Sequence, residues 1–404
     1  MMSNSPIDSK SAGRRNENLI LAMLRKHGSL SQAQLCRLVG IGSSTASTIV
    51  ARLREKGLLL ENRGISRHRG PKPTILSLNP ACCHLVGIEI NPSFAIIGLF
   101  DFLGQPVDKI HIPLGPDHQP GHVVDVITRS LHKTLKDHHL GAEDILGAGV
   151  ALSGSVSSEG MVHLSSPMGW RDVPLQRLLA EHFTFPVAVY SNHVRLLAEI
   201  ASDPALDAES ILYLNVANGV GATIFRDGRL VYGTTGRYGE IGHNVIDPDG
   251  PLCGCGHRGC LEAHISGPAL AAKITHDIRC GAQTALADGL DGHPTPEKRL
   301  AAWPRAVAAN DAYAIMLRDQ VADLIAQSAA QAINAYDPTV VILAGYVNLL
   351  FAEAFAEAIG RHSAAAIYDF DARQIDIRPA AAGDDALING ICLAVLQDAL
   401  EADW

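Results

Sequence analysis

Apolar side chains at the front of the chain recur at helical spacing, with Leu19, Ile20, Met23 and Leu24 inside Asn18–His27 and Gly28 as a stop. Ser31 is placed to cap a second helix carrying Ala33, Leu35 and Leu38. The turn Gly40-Ile41-Gly42 leads into a third helix, Ser43 to Lys56, stopped by Gly57. Two short runs, Leu58 to Glu61 and Thr74 to Leu78, read as strands enclosing Arg63, Arg67, His68, Arg69 and Lys72 among glycines and prolines. This order predicts a helix-turn-helix with a basic β-wing over residues 1–80. From Ala81 the pattern changes to alternating strands and helices. Strands are predicted at His84 to Ile90, Phe94 to Phe100 and Ile145 to Leu152, with a helix after Gly121. Further strands follow at Val187 to Tyr190, Ile211 to Val216, Gly221 to Phe225 and Val340 to Ala344, with a helix from Val194 and a long one around Leu317 to Ala335. Such alternation means α/β architecture, and the length of residues 81–404 suits two lobes with a cleft. The stretch from Gly281 to Pro304 yields nothing beyond a variable loop.

At 404 residues the chain exceeds what one core usually serves, so more than one structural unit is expected. With 47% hydrophobic and 19% charged residues it belongs with folded proteins, neither disordered nor membrane-embedded. Charge sharpens the division. Residues 1–80 carry 13 Lys and Arg against 4 Asp and Glu, while the whole chain has a net charge of -9. A basic front on an acidic body points to a polyanion partner for the front alone. The third helix sets Ser43, Ser44, Thr45, Ser47 and Thr48 near its N-terminus, small hydroxyls able to approach bases and phosphates. Together with the basic residues Arg67, His68, Arg69 and Lys72 of the wing, they make double-stranded DNA the expected partner. Arg52 has two readings, a phosphate contact or an ion pair with Glu55. Met1 to Asn18 is polar, and no apolar run of membrane-spanning length occurs, so a cytoplasmic protein without a membrane partner is expected.

Of eight cysteines, Cys253, Cys255 and Cys260 crowd one short Gly-rich stretch, and Cys36, Cys82, Cys83, Cys280 and Cys392 are scattered. In a reducing compartment the cluster reads as metal-binding. With one imidazole it completes a tetrahedral Zn²⁺ set with no position left for water, hence a structural site. His243 and His257 are both candidates for the fourth ligand.

The segments Tyr238-Gly-Glu-Ile-Gly-His243 and Cys253-Gly-Cys-Gly-His-Arg-Gly-Cys-Leu-Glu262 resemble the ExGH and CxCGxxGCLE marks of the ROK family of repressors and sugar kinases. The resemblance covers essentially the whole chain, since the family's regulators also begin with a winged helix. It implies an actin-like (ribonuclease H-like) two-lobed sensor over 81–404 with a sugar in the cleft and a zinc-binding loop at 240–262. It favours His243 as the zinc ligand. By the same resemblance Asn192, Glu240, His243 and Glu262 contact the ligand, joined by His193 and by the backbone-contact loop Gly154-Ser155. Family kinases place a general-base Asp where His193 stands. Their glycine-bearing phosphate turn reads Glu89-Ile-Asn-Pro-Ser93 here, without the glycines and with Pro92 lacking an amide hydrogen. Asn218-Gly-Val-Gly221 keeps glycines, and Ala344-Gly345 departs from a double glycine. The expectation is a repressor without a catalytic residue. It would bind a palindromic operator as a homodimer or homotetramer and answer to a sugar or sugar-phosphate effector. A sugar kinase, or a regulator controlled by a sugar-transport protein, are the alternatives.

Overall fold

A computed structural model describes residues 9–63, 74–203, 205–206, 209–233, 235–287 and 295–401. Contacts divide the chain into two units, Met1–Ala151 with Leu175–Val189 and Ile391–Trp404, and Leu152–Pro174 with Tyr190–Gly390.

The first unit begins with α1 (Ser9–His27), β1 (Ser29–Ser31), α2 (Gln32–Val39), α3 (Ser43–Glu55), β2 (Leu59–Arg63) and β3 (Thr74–Leu78). Ser31 caps α2 in a capping box with Gln34, and Gly40 closes the helix at φ 73°, a left-handed conformation that a glycine reaches without strain. The three strands form an antiparallel sheet in the order β1-β3-β2, whose Leu30, Leu59, Leu76 and Leu78 are buried together with Ile20, Leu24, Leu35, Ile49 and Leu53 of the helices. This is the expected winged helix, with α1 nine residues longer at its start than apolar spacing indicated and with β1 added.

Beyond it run β4 (His84–Ile90), β5 (Phe94–Asp101), β6 (Pro106–Pro113), α4 (Pro120–Asp137), β7 (Ile145–Leu152), β8 (Ser155–Val156), β9 (Val162–Ser165), β10 (Trp170–Val173), α5 (Leu175–Ala180) and β11 (Val187–Ser191). Then come α6 (Arg195–Ser202), β12 (Ile211–Val216), β13 (Val220–Arg226), β14 (Arg229–Leu230), α7 (Glu262–Ile265), α8 (Gly267–Arg279), the helix Ala312–Tyr336, β15 (Val340–Ala344) and β16 (Asp376–Pro379). Helices Ala352–Ala366 and Ala386–Glu401 close the described chain.

Two five-stranded sheets follow one plan. One is ordered β6-β5-β4-β7-β11 and the other β14-β13-β12-β15-β16. In each, three consecutive strands pair antiparallel, and two later strands join the far side of the first. β15 and β16 are parallel additions, and β15 is buried along its whole length, as a strand covered on both faces must be. The expectation of a featureless loop at Gly281 to Pro304 is corrected in its described part. Short helices occupy Pro296–Leu300 and Trp303–Ala308, and Trp303 is fully buried with its indole N–H donating to the Ala314 carbonyl at 2.9 Å.

Candidate functional sites

Helix α3 presents two faces because its apolar residues recur every three or four positions. Ala46, Ile49, Val50 and Leu53 are buried, and Ser43, Ser44, Thr45, Ser47 and Thr48 are exposed. Two of these hydroxyls are already engaged locally. Ser47 Oγ donates to Ser43 O at 2.8 Å and receives Gln32 Nε2 at 2.6 Å, while Thr48 Oγ1 donates to Ser44 O at 3.1 Å. Arg52 pairs with neither Glu55 nor open solvent alone: its Nε meets the Glu17 carboxylate of α1 at 2.5 Å. Glu17 is buried, so this ion pair clamps α1 to α3; of the two readings of Arg52, the pairing with Glu55 gives way to a partner 35 positions earlier. Arg54 forms an exposed pair with Glu61 of β2 at 3.1 Å. Arg67, His68, Arg69 and Lys72 lie outside the described residues.

In the second unit, Gly239 and Gly242 press the segment ending at His243 against β13. A Cβ on Gly239 would stand 1.9 Å from Ala222 O, and one on Gly242 would stand 2.1 Å from Val220 O. The Gly239 carbonyl in turn accepts the Ala222 amide at 2.8 Å. The following loop folds back on itself through Ile246 N–H to Gly259 O at 2.8 Å and Gly259 N–H to Pro251 O at 2.8 Å. These bonds gather His243, Cys253, Cys255 and Cys260 so that their donor atoms all lie within 4.8 Å of one another. Among the described residues they are the one group of three or more such donors.

Four ligands about 2.3 Å from a tetrahedral ion stand about 3.8 Å apart. Cys253 Sγ is 3.7 Å from His243 Nδ1, and Cys255 Sγ is 3.7 Å from Cys260 Sγ. The donor set and its spacing therefore fit Zn²⁺. Burial and the neighbouring thiols push the Cys260 thiol up to about 12, a position that a central divalent cation would reverse. His257 is exposed, with Nδ1 3.5 Å from Cys255 Sγ, and stands outside the four-donor group.

His243 turns its other nitrogen away from the thiols. Nε2 lies 3.8 Å from Glu240 Oε2, too long for a direct hydrogen bond. Burial, opposed in part by His243 and reinforced by Glu262, raises the Glu240 carboxyl above its ordinary range. Glu262 is oriented from below: Oε2 accepts the Val220 amide at 3.0 Å, and Oε1 lies 3.9 Å from Cys253 Sγ. Glu240, His243 and Glu262 thus adjoin the cysteine cluster as one constellation.

Asn192 and His193 occupy the turn between β11 and α6. Asn192 Oδ1 is buried without a hydrogen-bond partner among the described residues, an acceptor left for something else to satisfy. Burial pushes the His193 imidazole down to about 4, so it is neutral at ordinary pH. Gly154 has φ 150° and passes so close to Leu164 O that a Cβ would stand 2.4 Å away, while Ser155 is buried in β8. Gly236 joins that strand to the ligand segment, since a Cβ there would lie 1.9 Å from Val156 O. The roles of Gly236, Gly239 and Gly242 were missed from sequence, although glycines at 236, 239 and 242 were a visible signal of close backbone approach.

Residues 86–398 match the family model described as ROK family, and residues 15–66 match that described as MarR family. The chain belongs to the ROK family. A xylose repressor from Caldicellulosiruptor bescii is 24% identical over 95% of this chain and 96% of its own length. A glucokinase from Halalkalibacterium halodurans is 28% identical over 76% of this chain and 92% of its own. The crystal structure of a ROK family transcriptional regulator, a homologue of the Escherichia coli MLC protein, superposes with a TM-score of 0.79 at 20% identity, covering 97% of this chain and all of the other. The fold is therefore the actin-like α/β fold of ROK proteins with a winged helix in front.

The turn joining β4 to β5 spends part of its hydrogen-bonding capacity on itself. The Asn91 amide is committed to Phe94 O at 2.9 Å, Pro92 has no amide hydrogen, and Asn91 Nδ2 is held by Glu89 at 2.7 Å. In the Asn218–Gly221 hairpin the Val220 amide is already given to Glu262, and Asn218 Oδ1 accepts the Tyr346 hydroxyl at 2.8 Å. Gly345 has φ 84°, and a Cβ there would stand 2.4 Å from Val216 O, which explains a glycine at that position without any ligand.

Proposed function

We propose that this protein is a DNA-binding transcriptional repressor whose grip on a palindromic operator is released by a sugar or sugar-derived ligand. Its winged helix spans residues 1–80 and its ROK sensor residues 81–404. The observation that carries this reading is coverage: likeness to a named xylose repressor extends over 95% of the chain, including the MarR-type segment 15–66 that bears α3. In this reading the exposed hydroxyls of Ser43, Ser44, Thr45, Ser47 and Thr48 face the major groove. Arg67, His68, Arg69 and Lys72 follow the phosphates, and Arg52 supports α3 from behind. A two-fold dimer would place two such helices on half-sites about one helical turn or a multiple apart.

The ligand's hydroxyls are received by Glu240, Glu262, the orphaned Asn192 Oδ1 and the neutral His193, with Gly154 and Ser155 lining the backbone side. Two adjacent carboxylates accept hydroxyl protons and repel a phosphate placed beside them, so any phosphate on the ligand lies away from Glu240 and Glu262. Zn²⁺ held by His243, Cys253, Cys255 and Cys260 is structural: it pins the loop that carries Glu262 and turns His243 Nε2 toward Glu240.

A kinase is the second reading, favoured by the glucokinase likeness over 76% of the chain. It requires phosphate-binding amides that the Glu89–Ser93 turn has committed or lost, and a carboxylate base where His193 stands. The test is hexose-dependent ATP turnover by the wild-type protein and by His193→Asp. Neither is expected to turn over ATP, because the His193 change leaves the phosphate turn without its glycines. Turnover by the wild-type protein with any hexose overturns the sensor reading.

A further inference from the structure

Cys82 and Cys83 stand together in the five-residue joint 79–83 between β3 and β4. Their sulfurs are 3.6 Å apart and both side chains are partly exposed. The joint is held on both sides. Asn79 Nδ2 donates to Gly57 O at 2.9 Å just past α3, and the Asn79 amide donates to Leu58 O at 2.9 Å. On the other side the Phe102 amide donates to Pro80 O at 3.1 Å. Nothing in the winged-helix or sugar-sensing reading uses these thiols.

We infer that Cys82 and Cys83 form a two-thiolate chelate for a soft, thiophilic, pyramidal centre such as trivalent arsenic, placed at the joint beside α3. The separation decides between chelation and oxidation. Metal–sulfur bonds of about 2.3 Å at angles of about 90–110° span sulfurs roughly 3.3–3.8 Å apart, so the pair is already spaced for a bridging centre. A disulfide would need the sulfurs to close to about 2.05 Å. It would also join neighbouring residues whose Cα atoms are only about 3.8 Å apart, below the usual disulfide minimum of about 4.4 Å. Oxidation would therefore strain the joint, and chelation would not.

The pair also divides its protons suitably. The Cys83 thiol hydrogen-bonds to Cys82 and lowers the Cys82 thiol below its ordinary range, while the Cys83 thiol is held far above it. One sulfur is thus poised as the attacking thiolate. No third donor joins them: among the described residues the zinc set is the one group of three or more. The nearby Asp101 has its Oδ1 occupied by the Leu103 and Gln105 amides at 2.8 and 2.9 Å. A centre content with two thiolates and one external ligand is the matching class.

The test uses phenylarsine oxide on the full-length, zinc-loaded protein. Two As–S bonds form as the As–O unit is lost, the oxygen leaving as water with both thiol protons, and arsenic stays trivalent. The expected result is one equivalent bound with unchanged zinc content, and joint protection of Cys82 and Cys83 from alkylation, read by peptide mass. Cys82→Ser and Cys83→Ser should each weaken binding by about 10²–10⁴-fold, the loss expected when an intramolecular second bond is removed. The proposal is overturned if either serine variant binds as tightly as the wild type. Release of zinc with Cys82 and Cys83 still alkylated overturns it equally.

Discussion

The constellation beside the His243, Cys253, Cys255 and Cys260 group and the exposed face of α3 solve opposite problems. In the second unit, the polar groups are half-buried, and Glu240, His243 and Glu262 act on one another. Asn192 Oδ1 lacks a partner, Glu240 is raised by burial, and Glu262 is aimed by the Val220 amide. On α3 the Ser and Thr hydroxyls are exposed, and Ser47 and Thr48 are satisfied by the helix's own carbonyls. A half-buried polar constellation needs an external device to hold it, and four donors spaced for a metal would supply one. An exposed helix face needs only a well-packed back, supplied by Leu53, Ile49 and the Glu17–Arg52 clamp. Substitutions should therefore couple binding to stability in the first region and separate them in the second.

The largest effect should come from the metal centre. Structural zinc contributes on the order of 10 kcal/mol to the folding of small sites, so Cys260→Ser, or a strong chelator, should remove one zinc per chain and lower Tm by about 10 °C or more. Metal analysis with calorimetry reads both; an unchanged Tm after complete zinc loss would break the comparison. Next is the clamp. Arg52→Ala strands the buried Glu17 carboxylate and should cost toward the low end of about 3–5 kcal/mol, because Arg52 itself is half-exposed. Arg54→Ala, which breaks the exposed pair with Glu61, should cost about 0–1 kcal/mol in the same urea titration.

His193 gives a pH signature. Its folded-state pKa of about 4 lies below the ordinary 6.5, so the unfolded chain binds more protons between those values. Stability should rise with pH through that window and fall as pH drops from about 6.5 toward 4. His193→Gln should flatten the slope, and an unchanged slope would remove His193 as its source. The smallest stability effect is expected on α3. Ser44→Ala and Thr45→Ala should move stability by no more than about 0.5 kcal/mol, yet weaken DNA binding in a fluorescence titration; a matching loss of stability would mean that this face packs rather than reads.

Much of this was legible in the sequence where one local signal dominates. The apolar runs His84–Ile90, Ile145–Leu152, Ile211–Val216 and Val340–Ala344 are strands with those same ends, because turn residues bound each run. Ser31 and Gly40 announced α2 through capping chemistry. The cysteine spacing disclosed the four-donor group. What escaped depends on distant partners or weak patterns. β6 alternates half-buried and exposed positions between two prolines, and β8, β9 and β10 have four residues or fewer, too short for any periodicity. Trp303 lay in a stretch whose Gly and Pro content suggested only a loop, and its burial is set by the helix Ala312–Tyr336. The Glu17–Arg52 pair could not be read at all, since helical spacing offers Arg52 only Glu55.

The central claim is that the two regions belong to one ligand-controlled DNA reader. The most direct measurement is selection of genomic DNA fragments by the purified protein at low salt, with and without a pool of sugars and sugar phosphates. The account predicts that a palindromic sequence is enriched, that the pool releases it, and that Arg67→Ala with Arg69→Ala lowers the salt slope of binding by about one unit per lost phosphate contact. Enrichment of no fragment in either condition would contradict it.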